Sequence, residues 1–183
     1  MCEARPWGHF RNIAPALMSI NDLLKYCDII SVCHLDIKSQ GLFEASVTGM
    51  WTKGISDGGY ENLSGNPQFK VTFVDTDEDD DSMATVIISL LVKGSRSCLG
   101  TIQNKGFSFY RIEDSTTMPL DAEFLENNEE AGSCHNTGHR KEVKRFTVEP
   151  GTFVIIPYLS GGEENTEFYL CGFAESEQKL EFL

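Results

Sequence analysis

Two groups of residues in this chain have the types and spacing to carry chemistry. The first is an acidic run in which six of seven consecutive residues are carboxylates: Asp75, Asp77, Glu78, Asp79, Asp80 and Asp81. Crowded carboxylates raise one another's pKa values, and a cation or a basic surface relieves them. Asp75, Asp77, Asp79 and Asp81 have the spacing of the odd-position ligands of an EF-hand loop. The glycine and the distal glutamate that such a loop needs are missing, so an EF-hand is excluded. Three readings stay open: a solvated turn that keeps a sheet edge soluble, a looser Ca²⁺ site sharing oxygen ligands with other loops, and one half of an electrostatic latch. The basic residues available to such a latch are Lys93, Arg96, Arg140, Lys141, Lys144 and Arg145. The same cluster at 140–145 has the composition to touch anionic lipid headgroups.

The second group is Cys134, His135 and His139. A thiol beside an imidazole suggests an activated nucleophile, and the three together suggest a zinc site. Neither is complete. Sequence neighbours rarely point at one another, no third group orients the imidazole, and zinc lacks a fourth ligand. The expectation is a polar loop, with no catalytic residues, no cofactor-binding residues and no zinc.

These groups must be positioned by strands. The acidic run lies between "NPQFKVTF" and "ATVIISLLV", both rich in β-branched and aromatic residues. From Gly41 onward the texture is all-β. The segments "FEASVTGMW", "QFKVTFV", "ATVIISLLV", "GFSFYRI", "RFTVEP", "TFVIIPYL" and "EFYLCGFAE" read as strands. They are separated by the turn signals "SDGG", "SGNP", "KGSRS", "QNKG", "EPG" and "SGGEEN". Seven or eight short strands predict an antiparallel β-sandwich. Trp51 is expected in its core, and "MPLDAEFLEN" is expected to form a turn or two of helix. Upstream, "SINDLLKYC" predicts a short helix and "DIISVCHLD" a strand.

Composition narrows the function classes. The chain has 183 residues and a net charge of -13, and removing the six acidic-run charges still leaves about -7. A surface this negative excludes general nucleic-acid binding. The six cysteines form no C-x-x-C pair, and "MCEARPWGHF" lacks the apolar region of a signal peptide. Reduced thiols and a cytoplasmic location are the expectation. No apolar run approaches the length of a membrane span.

Several strings in order carry a resemblance. "GMWTKGISDGG", "NPQFKV", the acidic run, "VIISLLVKGSR", "GFSFY", "KEVKRFTVEPGTFVIIP" and "EFYLCGFAES" together resemble the third domain of calpains, over roughly Ser46 to Ser176. "MSINDLLKYCDIISVCHLD" resembles the end of the papain-like core that precedes it. The chain departs from the family pattern at Leu63-Ser64-Gly65, at Thr137 to Val143 and at Pro157 to Gly162, which points to a divergent member or a fragment of one. The resemblance implies a C2-like sandwich over residues 39–183, preceded by a remnant of a calpain protease core over 1–38. It implies a calcium- and phospholipid-responsive regulatory domain of a calcium-dependent cysteine protease. Its partners would be the protease core and the downstream domain of the parent chain, and an anionic membrane surface. The acidic run would act as the latch, with Ca²⁺ or lipid competing for its charges. The alternative is a protein–protein interaction module with no calcium response. The family's Cys–His–Asn residues lie upstream of the part seen here, and "RPWG" at Arg5 to Gly8 lacks the asparagine. The chain alone is therefore expected to be inactive as a protease.

Overall fold

The computed structural model describes residues 41–76, 82–93, 104–135, 141–161 and 165–183, together with Lys25. The chain divides into two compact units, Met1–Leu35 and Asp36–Leu183, and the second is the one described below. The N-terminal helix and strand and the boundary expected between residues 38 and 39 lie outside the described residues. So do Asp77 to Asp81, Arg96, His139 and Arg140.

The described strands are β1 (Phe43–Trp51), β2 (Phe69–Phe73), β3 (Ala84–Val92), β4 (Asn104–Ile112), β5 (Gly132–Cys134), β6 (Lys141–Val148), β7 (Gly151–Ser160), β8 (Thr166–Ala174) and β9 (Glu181–Phe182), with a short 3-10 helix at Leu63–Gly65 and an α-helix, α1 (Ala122–Asn127), between β4 and β5. They form two antiparallel sheets, ordered β1-β8-β3-β6 and β5-β4-β7-β2-β9. This is the expected sandwich. Every connection except β4 to β5 passes from one sheet to the other.

Period-2 alternation explains most of the burial. Phe69, Val71 and Phe73 point inward from β2, while Lys70 and Thr72 do not. β3 is apolar at seven of its nine positions, with Thr85 and Ser89 the exceptions, for a different reason. Ala84, Val86, Ile88, Leu90 and Val92 join the main core, while Ile87 belongs to a separate cluster with Cys171, Phe173 and Leu42. Both faces of β3 pack against apolar neighbours, so apolar residues occur on each. Trp51 lies in the core as expected, and its indole N–H donates to the Pro157 carbonyl at 3.1 Å.

The segment from Asn127 to Arg145 corrects one expectation. It is not a polar loop throughout: Gly132–Cys134 is β5, and β6 begins at Lys141. Charge hid the start of β6, because edge strands carry charged residues that discourage further pairing, while β5 has only three residues and no period to read. The two strands close this side of the sandwich. The Lys144 ammonium donates to the Ser133 carbonyl at 2.8 Å. The Phe146 ring packs edge-on against Phe107 and Phe109. Gly132 makes room for it, since a Cβ there would lie 2.8 Å from the Phe146 ring and 2.6 Å from that of Phe109.

The outer face of the five-stranded sheet is covered as well. Tyr110, Ile112, Val154 and Ile156 pack with Leu120 and with Phe124 and Leu125 of α1. Asp121 caps the helix by accepting from the Phe124 N–H at 2.9 Å. The "NPQ" triplet ties this cover down. Asn66 donates to the Gly59 carbonyl at 2.8 Å and accepts from the Gly59 N–H at 3.3 Å. Gln68, fully buried, donates to the Leu120 carbonyl and accepts from the Leu120 N–H, both at 2.8 Å. Its amide thus pairs with one residue as a strand backbone would. Gln68→Met keeps the volume but leaves both Leu120 groups buried and unmatched. Urea denaturation should show a loss of about 1–3 kcal/mol, with the m-value unchanged.

Candidate functional site

The acidic run joins the end of β2 in one sheet to the start of β3 in the other. Both feet of that crossover are described. On the β2 side, the Thr76 hydroxyl donates to the Glu175 carbonyl at 3.0 Å. On the β3 side, the Thr85 N–H donates to the Glu175 carboxylate at 2.8 Å. Glu175 directly follows β8, so one residue holds both feet. Nothing in the sequence singled it out, because it is one acidic residue among many and its partners are 90 and 99 positions away.

The described basic residues are not gathered at one place. Arg145 is opposite Ile87 in the β3–β6 register, and its guanidinium donates to the Thr85 hydroxyl at 3.3 Å. It is therefore next to the β3 foot of the loop. Lys144 points to the other face of β6 and is engaged with β5. Lys141 is opposite Leu91, near the far end of β3. Lys93 lies beyond that end and pairs with Glu167. Nine residues of strand separate it from Ala84, or about 30 Å. The structure brings Arg145 to the β3 foot of the loop and leaves Lys93 at the opposite end of β3. A further cation, Arg111, is near the acidic-loop end, where it pairs with Glu149 and donates to the Pro150 carbonyl at 3.1 Å.

Asp75 is the one member of the acidic run whose placement is described. Its Oδ1 is buried with no hydrogen-bond donor among the described residues. A hard oxygen donor of this kind suits Ca²⁺ rather than a softer metal. Among the described residues, no three His, Cys, Asp or Glu side chains are grouped to hold a metal ion.

The Cys134–His135 pair separates across the sheet. Cys134 faces the main core, and burial raises its thiol pKa, with the nearby Glu142 adding to the effect. An activated thiolate needs the opposite shift. His135 is exposed. Its Nδ1 is 2.7 Å from the Tyr158 hydroxyl, and its Nε2 is 3.1 Å from the Ser133 hydroxyl. Tyr60 packs edge-on against its ring, with centroids 5.1 Å apart. Tyr158 reaches His135 across Gly106, where a Cβ would come within 2.5 Å of the phenol oxygen. The two neighbours therefore form neither a nucleophile–base pair nor a shared metal site.

Residues 47–173 match the family described as calpain large subunit, domain III. The chain belongs to this calpain domain III family. Among its relatives, Calpain-A of Drosophila melanogaster is 32% identical over 189 residues, covering 90% of this chain and 22% of that protein. Calpain clp-1 of Caenorhabditis elegans is 29% identical, covering 88% of this chain and 24% of the relative. Calpain-8 of Mus musculus is 26% identical, with coverages of 90% and 27%. The chain thus spans about a fifth to a quarter of the length of these calpains. The matched calpain domain runs from within β1 nearly to the end of β8 and contains both feet of the acidic loop.

Burial is the main reason that the Tyr110 and Tyr158 phenols are held well above the usual tyrosine range, and Glu130 raises both further. A folded pKa raised above the unfolded value gives stability that is complete below the unfolded pKa, about 10, and lost as pH rises toward the folded value. The midpoint of urea unfolding should therefore fall steeply above about pH 10. Tyr158→Phe should make that fall shallower.

Proposed function

We propose that this chain is a calcium- and phospholipid-responsive regulatory domain of a calpain-like cysteine protease, with the acidic loop as an electrostatic latch. The observation that carries the reading is the double attachment of the loop, from one sheet to the other through Glu175, with Arg145 beside the β3 foot. A charge change on the loop then acts on two sheets at once. Ca²⁺, when bound, supplies positive charge to carboxylates that otherwise repel one another. Asp75, Asp77, Glu78, Asp79, Asp80 and Asp81 are the residues to hold it. The carboxylates and Arg145 are partners in the latch, and Ca²⁺ competes with the guanidinium for them. Exposed ion pairs are each worth roughly 0–1 kcal/mol, so the latch works through many charges together. Lys93 contributes little to it, since about 30 Å far exceeds a Debye length of about 8 Å.

Lys141 and Arg145 leave the same face of β6, separated by an even number of strand positions. They, rather than Lys144, are the basic residues offered to an anionic membrane. The parent protease core and downstream domain are the partners to which the latch would report.

Isothermal titration of the 183-residue chain with millimolar Ca²⁺ tests the cation reading. Saturable heat is expected for the native chain, and little for the variant with Asp77→Asn, Asp79→Asn and Asp81→Asn. Silence from both would sink it. In sedimentation with phosphatidylserine vesicles, Lys141→Ala with Arg145→Ala should reduce the bound fraction, and raising the salt should do the same.

A further inference from the structure

The two sides of the sandwich are not alike. One is sealed by β5 and β6, with Phe146 between the sheets and Lys144 bridging them. The other is bounded by β1 and β9. Three of the four sheet edges are poor templates for another strand: β5 has three residues, β9 has two, and β6 carries Lys141, Lys144 and Arg145. β1 differs from all of them. It is nine residues long, contains neither proline nor lysine, and has Glu44 as its single charge. Among the described residues it pairs only with β8.

The side chains along this edge are open. Phe43 is 50% exposed and Met50 47%, although Phe43 has the same strand parity as the buried Ala45 and Trp51. On the facing edge, Phe182 is 69% exposed although it pairs with the buried Phe69. Two aromatic rings at positions of inward parity are thus left in solvent along one open side. A long, nearly uncharged edge with apolar lips is a site for strand addition.

We propose that β1 is a self-association edge, pairing antiparallel with β1 of a second copy of this chain. The strand is self-complementary about Val47. In the register with Val47 opposite Val47, Ser46 faces Thr48, Glu44 faces Met50, and Phe43 faces Trp51 of the second copy. The single charge never meets itself, which a two-fold pairing requires. Each exposed Phe43 arrives at the ring group Trp51, Phe168, Phe69 and Phe182, whose successive centroids are 4.2, 5.9 and 5.5 Å apart. The pairing joins the two four-stranded sheets into one of eight strands and covers both aromatic lips. The sealed β5–β6 side takes no part.

Analytical ultracentrifugation of the full 183-residue chain over a concentration series tests this. A reversible monomer–dimer equilibrium is expected. Ser46→Lys with Thr48→Lys places like charges opposite each other across the two-fold and should weaken the dimer at least about tenfold, with the thermal midpoint of the monomer unchanged. Phe43→Ser should weaken it as well, and it keeps the test valid if the lysine pair disturbs β1. Thr147→Lys, on the β6 edge, should leave the equilibrium unaltered. A native chain that stays monomeric throughout overturns the proposal and leaves the edge to a peptide strand from another protein. So does a dimer indifferent to the β1 changes.

Discussion

The ring-on-ring contacts between the sheets carry the rest of the molecule. Trp51 and Phe168 meet at 4.2 Å within the four-stranded sheet, and Phe69 stacks edge-on to Phe168 from the other layer. Phe73, Phe153, Phe109 and Phe146 extend the contact to the sealed side. Because nearly every connection crosses between layers, this seam fixes where each loop starts and ends. The acidic loop leaves β2 straight after Phe73 and enters β3 at Ala84, both fully buried. The two feet of the loop therefore stand on rigid supports, one in each sheet.

The same rigidity separates charges that lie close together in sequence. Lys144 and Arg145 are neighbours, yet strand alternation gives one to the sandwich closure and the other to the foot of the acidic loop. Cys134 and His135 divide in the same manner, one into the core and one to an exposed contact with Tyr158 and Ser133. Lys93 follows the strand that begins at the acidic loop, but a nine-residue strand carries it to the opposite end. Closeness in sequence therefore misleads in both directions here.

Much of the fold was legible because its signal is local. "FEASVTGMW" and "ATVIISLLV" coincide with β1 and β3 to the residue, and the bounds of β2, β4, β7 and β8 are displaced by a residue or two. The exceptions are informative. β6 starts four residues before the expected "RFTVEP", since Lys141 to Lys144 look like a charged loop but form an edge. β5 and β9 were invisible, because two or three residues carry no period and exist only through their partners β4 and β2.

By itself the sequence determined the all-β class, the place of the acidic run between two strands, and the family to which the chain belongs. Those follow from side-chain period, turn chemistry and the order of short strings, all of which act along the chain. Tertiary structure alone decided that Glu175 holds both feet of the loop, that Arg145 and not Lys93 is beside the β3 foot, and that β1 pairs on one side only among the described residues. These depend on strand register and sheet order. Register is set by how two distant faces fit together, and no segment contains that information before its partner is in place.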